Sequence, residues 1–122
     1  TLLKSEKFIS HAFVILNSSG EITAILALEK TSIIDLLNSN TLSRDNSLQE
    51  ISKNDEVKAL IKDNIRETNA SLQPQEKIKN VSISSENFSV AAGHLTASQK
   101  LKRDWLAEHY KVLINSPQIK IF

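Results

Sequence analysis

The chain has 122 residues, 40% of them hydrophobic and 24% charged, enough for one soluble domain able to bury one core. A net charge of +1 gives no whole-molecule argument for nucleic acid or a membrane surface, and no apolar run is long enough to span a bilayer. Cysteine is absent, which excludes disulfides and thiolate metal sites and fits a reducing compartment.

Thr1-Leu2-Leu3-Lys4 reads as the tail of a helix already under way, as in a piece of a longer chain. Ile9 to Leu16 is apolar on both alternating faces, with Ile9, Phe13 and Ile15 on one and Ala12, Val14 and Leu16 on the other, as expected for a central strand covered on both sides. His11 falls on the face of Ile9 and Phe13, where a packing role is expected. Asn17-Ser18-Ser19-Gly20 is a turn cluster. Glu21 to Glu29 completes an antiparallel hairpin, with Ile22, Ala24, Leu26 and Leu28 facing one way.

Thr31 or Ser32 can cap a short helix through Ile33, Ile34, Leu36 and Leu37 that ends around Asn38 and Asn40. Thr41 to Asn54 reads as a polar connector with a helical turn near Leu48-Gln49-Glu50-Ile51. Asp55 to Leu72 carries one helical stripe, Val57, Leu60, Ile61, Ile65 and Leu72, with Asn54 or Asp55 as cap and Pro74 as stop. A third strand follows at Val81 to Ser84. Its alternate residues Ser82 and Ser84 predict a face partly open to solvent, and a short extra strand is expected at Phe88-Ser89-Val90. The final helix is predicted from Leu101 to Asn115, with Thr96 and Ser98 as caps, Pro117 beyond its end and 118–122 as a tail. The order predicts an α+β domain: a small, mainly antiparallel sheet of about three strands plus a short one, packed with helices.

The chemistry-bearing residues are few. The two glycines stand alone, so no phosphate loop is present. His94 and His109 have no ligand-spaced acidic or histidine partner, so no metal is expected, and no serine has the surroundings of a triad. Trp105 is read as a core anchor of the last helix. Lys100, Lys102 and Arg103 form the densest cationic cluster. With the helix starting at Leu101 they crowd its first turn, where backbone N–H groups favour an anion and disfavour a cation.

Phe88-Ser89-Val90, Gly93-His94-Leu95-Thr96 and Lys100-Leu101-Lys102-Arg103, in that order, resemble the end of the AMP-forming acyl-CoA synthetases, and most closely the long-chain fatty-acid–CoA ligases. The resemblance extends to Asn69-Ala70-Ser71-Leu72, Glu76-Lys77-Ile78-Lys79 and the opening Phe8 to Ile15, thinning between about Asp35 and Asp55. Ala97 departs from it, since proline is common at that place in the family. The resemblance implies that residues 1–122 are the single C-terminal lid domain of a larger ligase, whose N-terminal adenylation domain lies upstream and is its partner. It implies Lys100 as the catalytic lysine, Gly93, Leu95 and Thr96 as the substrate loop, and weak phosphate support from Lys102 and Arg103. Fatty acid, ATP and CoA are the implied substrates, with ATP and Mg2+ held mainly by the other domain and no cofactor in this one. A cytoplasmic location follows, peripheral at most to the inner face of the membrane.

A lysine that enters and leaves another domain's site must not be pinned by its own domain. Ala91 to Gln99 is therefore expected to be exposed and loosely packed, with Lys100 free of an intradomain carboxylate. The rival reading is a stand-alone α+β regulatory or interaction module that pairs through an exposed sheet edge.

Overall fold

The computed structural model describes residues 8–37 and 47–121. The helix tail expected at 1–4, the helix end at Asn38 and Asn40, and the connector over 41–46 lie outside the described residues. Strands β1 (Ile9–Leu16) and β2 (Ile22–Leu28) pair antiparallel. Helices α1 (Lys30–Leu37), α2 (Leu48–Ser52) and α3 (Asp55–Ala70) follow, then a 3-10 turn at Pro74–Glu76 and strand β3 (Asn80–Ile83). Helices α4 (Arg103–His109) and α5 (Lys111–Asn115) lead to β4 (Ile119–Lys120). The sheet order is β1-β2-β3-β4, with β2 and β3 parallel and the outer pairs antiparallel.

Every β2 residue from Thr23 to Leu28 is buried. The strand therefore needs cover on both faces, and the two long connections supply it. The first crosses between parallel strands, as parallel pairing requires. It lays Ile33 of α1, Ile51 of α2 and Val57, Ile61 and Ile65 of α3 over Ala24, Leu26, Leu28, Val81 and Ile83. The second sets Phe88, Leu95, Leu106, Tyr110 and Ile114 against Phe13, Ile25 and Ala27 on the opposite face. The core is thus two clusters with the sheet between them.

Local signals explain the helix starts. Ser47 and Glu50 form a reciprocal capping box on α2, and Asn54 Oδ1 accepts from Glu56 and Val57 N–H at the head of α3. At the far end of α3, the buried Asn69 amide accepts from Ile78 N–H and donates to Ile78 O, both at 2.9 Å, fixing the approach to β3.

Four expectations are corrected. A bulge between Ile9 and His11 changes the phase of β1, so Ile9 packs with Ala12 and Val14 rather than with Phe13. Ser82 and Ser84 are fully covered. Ser82 Oγ donates to Leu113 O at 2.9 Å, one of the carbonyls α5 leaves unpaired at its end, and accepts from Gln118 N–H at 3.2 Å. No strand forms at 88–90; the fourth strand is Ile119–Lys120, in the stretch read as a tail, paired with Asn80 and Val81 and flanked by the buried Ile121. The last helix starts at Arg103 instead of Leu101 and is interrupted at Tyr110.

β1 is an edge strand, not the central one its two apolar faces predict, and Arg103 protects it. Its guanidinium donates to Val14 O at 2.7 Å and lies 5.0 Å over the Phe13 ring. The stripe of α3 is core, as its spacing predicts, with Val57, Ile61 and Ile65 inaccessible to solvent. Ile61→Ala is expected to destabilise the domain by about 2–5 kcal/mol in urea titration; a loss under about half a kcal/mol would show that the site is not packed core.

Candidate functional site

Leu95 and Leu101 face each other in an isolated antiparallel bridge. Below it, Lys102 N–H donates to His94 O at 2.9 Å; above it, Thr96 N–H donates to Lys100 O at 2.8 Å. Gln99 N–H returns to Thr96 O, and Lys100 N–H donates to Thr96 Oγ1. The segment from His94 to Lys102 is thus a small hairpin, closed by a turn whose last residue, Gln99, has φ +69°. The β1–β2 turn has the same bonds: Asn17 N–H to Glu21 O, Gly20 N–H to Asn17 O, and Glu21 N–H to the Asn17 side chain. There the left-handed position is held by Gly20, at φ +80°.

This hairpin replaces the capped helix start expected from Thr96 and Ser98. A hydroxyl accepting a nearby N–H serves a turn as well as a cap, and packing of the half-buried Leu101 against the second cluster holds the extended form. Lys102 occupies the N-cap position of α4 with no side-chain cap. Of the three cations, only Arg103 sits in the helix's first turn, and its guanidinium is turned to β1. The two-residue period of the extended segment sends Lys100 and Lys102 away from the side where Leu101 is buried. Lys100 is exposed, and among the described residues it forms no ion pair with a carboxylate.

Within 91–99, Ala91, Ala92 and Ala97 to Gln99 are exposed as expected, but the hairpin's base is not loosely packed. His94 and Leu95 are each 1% exposed. Gly93 has φ +104°, and a Cβ there would lie 2.9 Å from Trp105 Cε2. Trp105 lies edge-on to the His94 ring at 5.0 Å, and Phe88 stacks on that ring at 4.9 Å. Alanine at Gly93 would meet both the ring and a strained backbone. We expect Gly93→Ala to cost about 2–4 kcal/mol by chemical denaturation, with a shift in emission from Trp105, the single tryptophan.

The fold also brings together residues that sequence spacing kept apart. Glu86 Oε1 accepts from His94 Nε2 at 3.0 Å, His109 Nε2 at 2.6 Å and Tyr110 O–H at 3.1 Å. Tyr110 also shares a 2.7 Å hydrogen bond with Ser84 Oγ. The expectation that His94 and His109 lack a partner is therefore corrected; both meet Glu86, supplied by the loop after β3. No pattern in the sequence announces this, because 86, 94 and 109 follow no single period.

One ligand atom from each of Glu86, His94 and His109 lies within 4.8 Å of the others, a donor set of the kind zinc takes. The other ring nitrogen of His94 argues against a metal here. Nδ1 accepts from Ser89 N–H at 3.1 Å, which puts the ring proton on Nε2, facing Glu86. A metal on Nε2 would move that proton to Nδ1, directly against the Ser89 donor, whereas metal-bound imidazoles normally turn their second nitrogen to an acceptor. The cluster is built as a carboxylate receiving three donors.

Burial alone would raise the Glu86 carboxyl pKa; the hydrogen bonds from His109, His94 and Tyr110 outweigh it and hold the group below the ordinary glutamate value. Burial pushes the Tyr110 phenol up, Ser84 pulls it back, and the Glu86 charge adds to the rise, so Tyr110 stays a donor at neutral pH. A depressed folded pKa contributes stability above the ordinary glutamate range and loses it as pH falls through the folded value. Wild type should therefore exceed Glu86→Gln in urea midpoint near about pH 7, with the gap closing toward about pH 3. A gap independent of pH would show that the carboxylate charge is not what the three donors hold.

No family model matches the chain, and no curated protein does. Among solved structures it is similar to the adenylation domain of a carboxylate reductase from Mycobacterium chelonae, at TM-score 0.64 and 24% identity, over 86% of this chain and 15% of that one. This is a likeness of fold: a small mixed sheet packed with helices, occurring within an adenylation domain several times longer. Among the described residues, no helix is long and apolar enough to cross a membrane.

Proposed function

We propose that this chain is the C-terminal domain of an AMP-forming ligase of the long-chain fatty-acid–CoA type, and that Lys100 is its catalytic lysine. The observation that carries the reading is Lys100 itself, exposed and without an intradomain carboxylate among the described residues, on a hairpin whose base is packed. The fold likeness to an adenylation domain supports it, as does the short span of this chain beside that one, which leaves room for a much larger ATP-binding partner.

In the first step a fatty-acid carboxylate oxygen attacks the α-phosphorus of ATP, the bond to pyrophosphate breaks, and acyl-adenylate forms. In the second the CoA sulfur attacks the acyl carbon, AMP leaves with the bonding pair, and the thiol proton passes to solvent. Lys100 places a compact charge on a flexible stem against the negative charge of the first transition state. Domain rotation then withdraws it before CoA enters. ATP and Mg2+ belong mainly to the larger domain. Gly93, Leu95 and Thr96 build the hairpin in this reading. Lys102 is solvated, and Arg103 is held on β1.

In the full-length ligase, Lys100→Ala should lower adenylate formation about 10²–10³-fold. Thioester formation from synthetic acyl-adenylate should change little, and Lys102→Ala should alter either half-reaction only modestly. Pyrophosphate exchange set beside CoA transfer reads both steps. Equal losses in the two half-reactions, or a larger loss in Lys102→Ala, would sink this assignment. The rival interaction module finds its support in the edge position of β1, although Arg103 already occupies the Val14 carbonyl there. A reading frame that starts within a few residues of Thr1 would favour it over the ligase.

A further inference from the structure

His94 joins the hairpin to the rest of the domain. Its backbone oxygen closes the hairpin's base by accepting from Lys102 N–H at 2.9 Å. Its ring is fixed at both nitrogens, by Ser89 N–H on Nδ1 and by Glu86 Oε1 on Nε2. Among the described residues, Tyr110 Oη also approaches Nε2, at 3.3 Å against 3.0 Å for Glu86 Oε1. The same Glu86 oxygen takes His109, whose ring stacks on Trp105 at 4.4 Å, and Trp105 lies against Gly93 at the hairpin's entry. One carboxylate therefore links the loop after β3, the base of the hairpin and the face of α4.

We propose that Glu86 is a positioning residue for Lys100: by fixing the His94 ring it sets the direction in which the hairpin leaves the domain. The proposal rests on the role given to Lys100 above, and it adds a residue that touches no substrate. Without the carboxylate, the buried His94 Nε2–H loses its charged acceptor at 3.0 Å and keeps only the longer approach to Tyr110 Oη, so the ring, and the hairpin base with it, is held less firmly. The lysine keeps its charge and exposure but no longer arrives at a fixed place. Misplacement by about 1 Å at a reacting centre can cost about 10²-fold.

Two measurements test this. In the 122-residue chain, amide exchange at Lys102 and Thr96, the N–H groups that close the hairpin, should speed about tenfold in Glu86→Ala, while amides of β2 stay protected. In the full-length ligase, the same variant should lower kcat for adenylate formation about 10- to 100-fold with KM for ATP and fatty acid unchanged, because no substrate contact is removed. Glu86→Gln, which retains an acceptor oxygen, should recover part of both effects, and it carries the comparison if the alanine variant does not fold. Unchanged exchange at Lys102 in a folded variant overturns the proposal. Full kcat in Glu86→Ala where Lys100→Ala has lost it overturns positioning and leaves the lysine's role intact; full kcat in Lys100→Ala removes both.

Discussion

A strand that is apolar on both faces can be left to water on neither, and β2 is such a strand. Ile22, Ala24, Leu26 and Leu28 face α1 to α3, while Ile25 and Ala27 face the layer of α4 and α5. Each large aliphatic side chain buried there contributes about 1.5–3 kcal/mol of hydrophobic stabilisation. No single connection can cover both faces, so the chain leaves the sheet twice, once on each side. The first excursion carries little polar chemistry. The second has to return through Phe88, Leu95 and Leu106 to seal the other face, and it brings His94, His109, Trp105 and Lys100 with it. The candidate site is thus a by-product of closing the second core.

Within that second layer, the polar groups solve a problem set by burial. Ser82, Ser84, His94 and Tyr110 all lie under the helices, and a buried donor without an acceptor is expensive. Ser82 meets the end of α5, and the other three converge on Glu86 or on each other. Glu86 itself is part-exposed, which lets the carboxylate keep its charge while serving buried donors. A carboxylate sunk fully among those rings would have lost that charge to desolvation.

The first half of the fold is legible in the sequence because its signals are local and redundant. The pattern of β2, the stripe of α3 and the cap at Asn54 each point to what forms. The second half is not, because long-range packing overrides local preference there. Thr96 and Ser98 offer a helix start, but Leu101 gains more by pairing with Leu95 and packing half-buried against the second cluster. Ser82 and Ser84 look solvent-facing until the ends of α5 and the Tyr110 hydroxyl supply their partners. β4 is two residues long, too short to carry a period. Lys100 stands in a run of ordered motifs that carry a resemblance; Glu86 stands in none, since its meaning depends on rings eight and twenty-three positions away.

Thr96 to Lys100 and Asn17 to Glu21 are the same turn built twice, with Gln99 where the other has Gly20. A glycine would leave the open chain freer; a glutamine has fewer conformations to lose but must accept a left-handed backbone. The difference concerns when disorder is surrendered. With the hairpin's backbone already ordered in the folded domain, whatever meets the Lys100 ammonium has only the side chain left to still, at roughly 1.5–2 kcal/mol for a lysine. Were the segment unstructured until contact, roughly 1–2 kcal/mol for each of its residues would be charged to that contact instead. A turn that is awkward for its sequence therefore moves the entropy of ordering from the encounter to the fold.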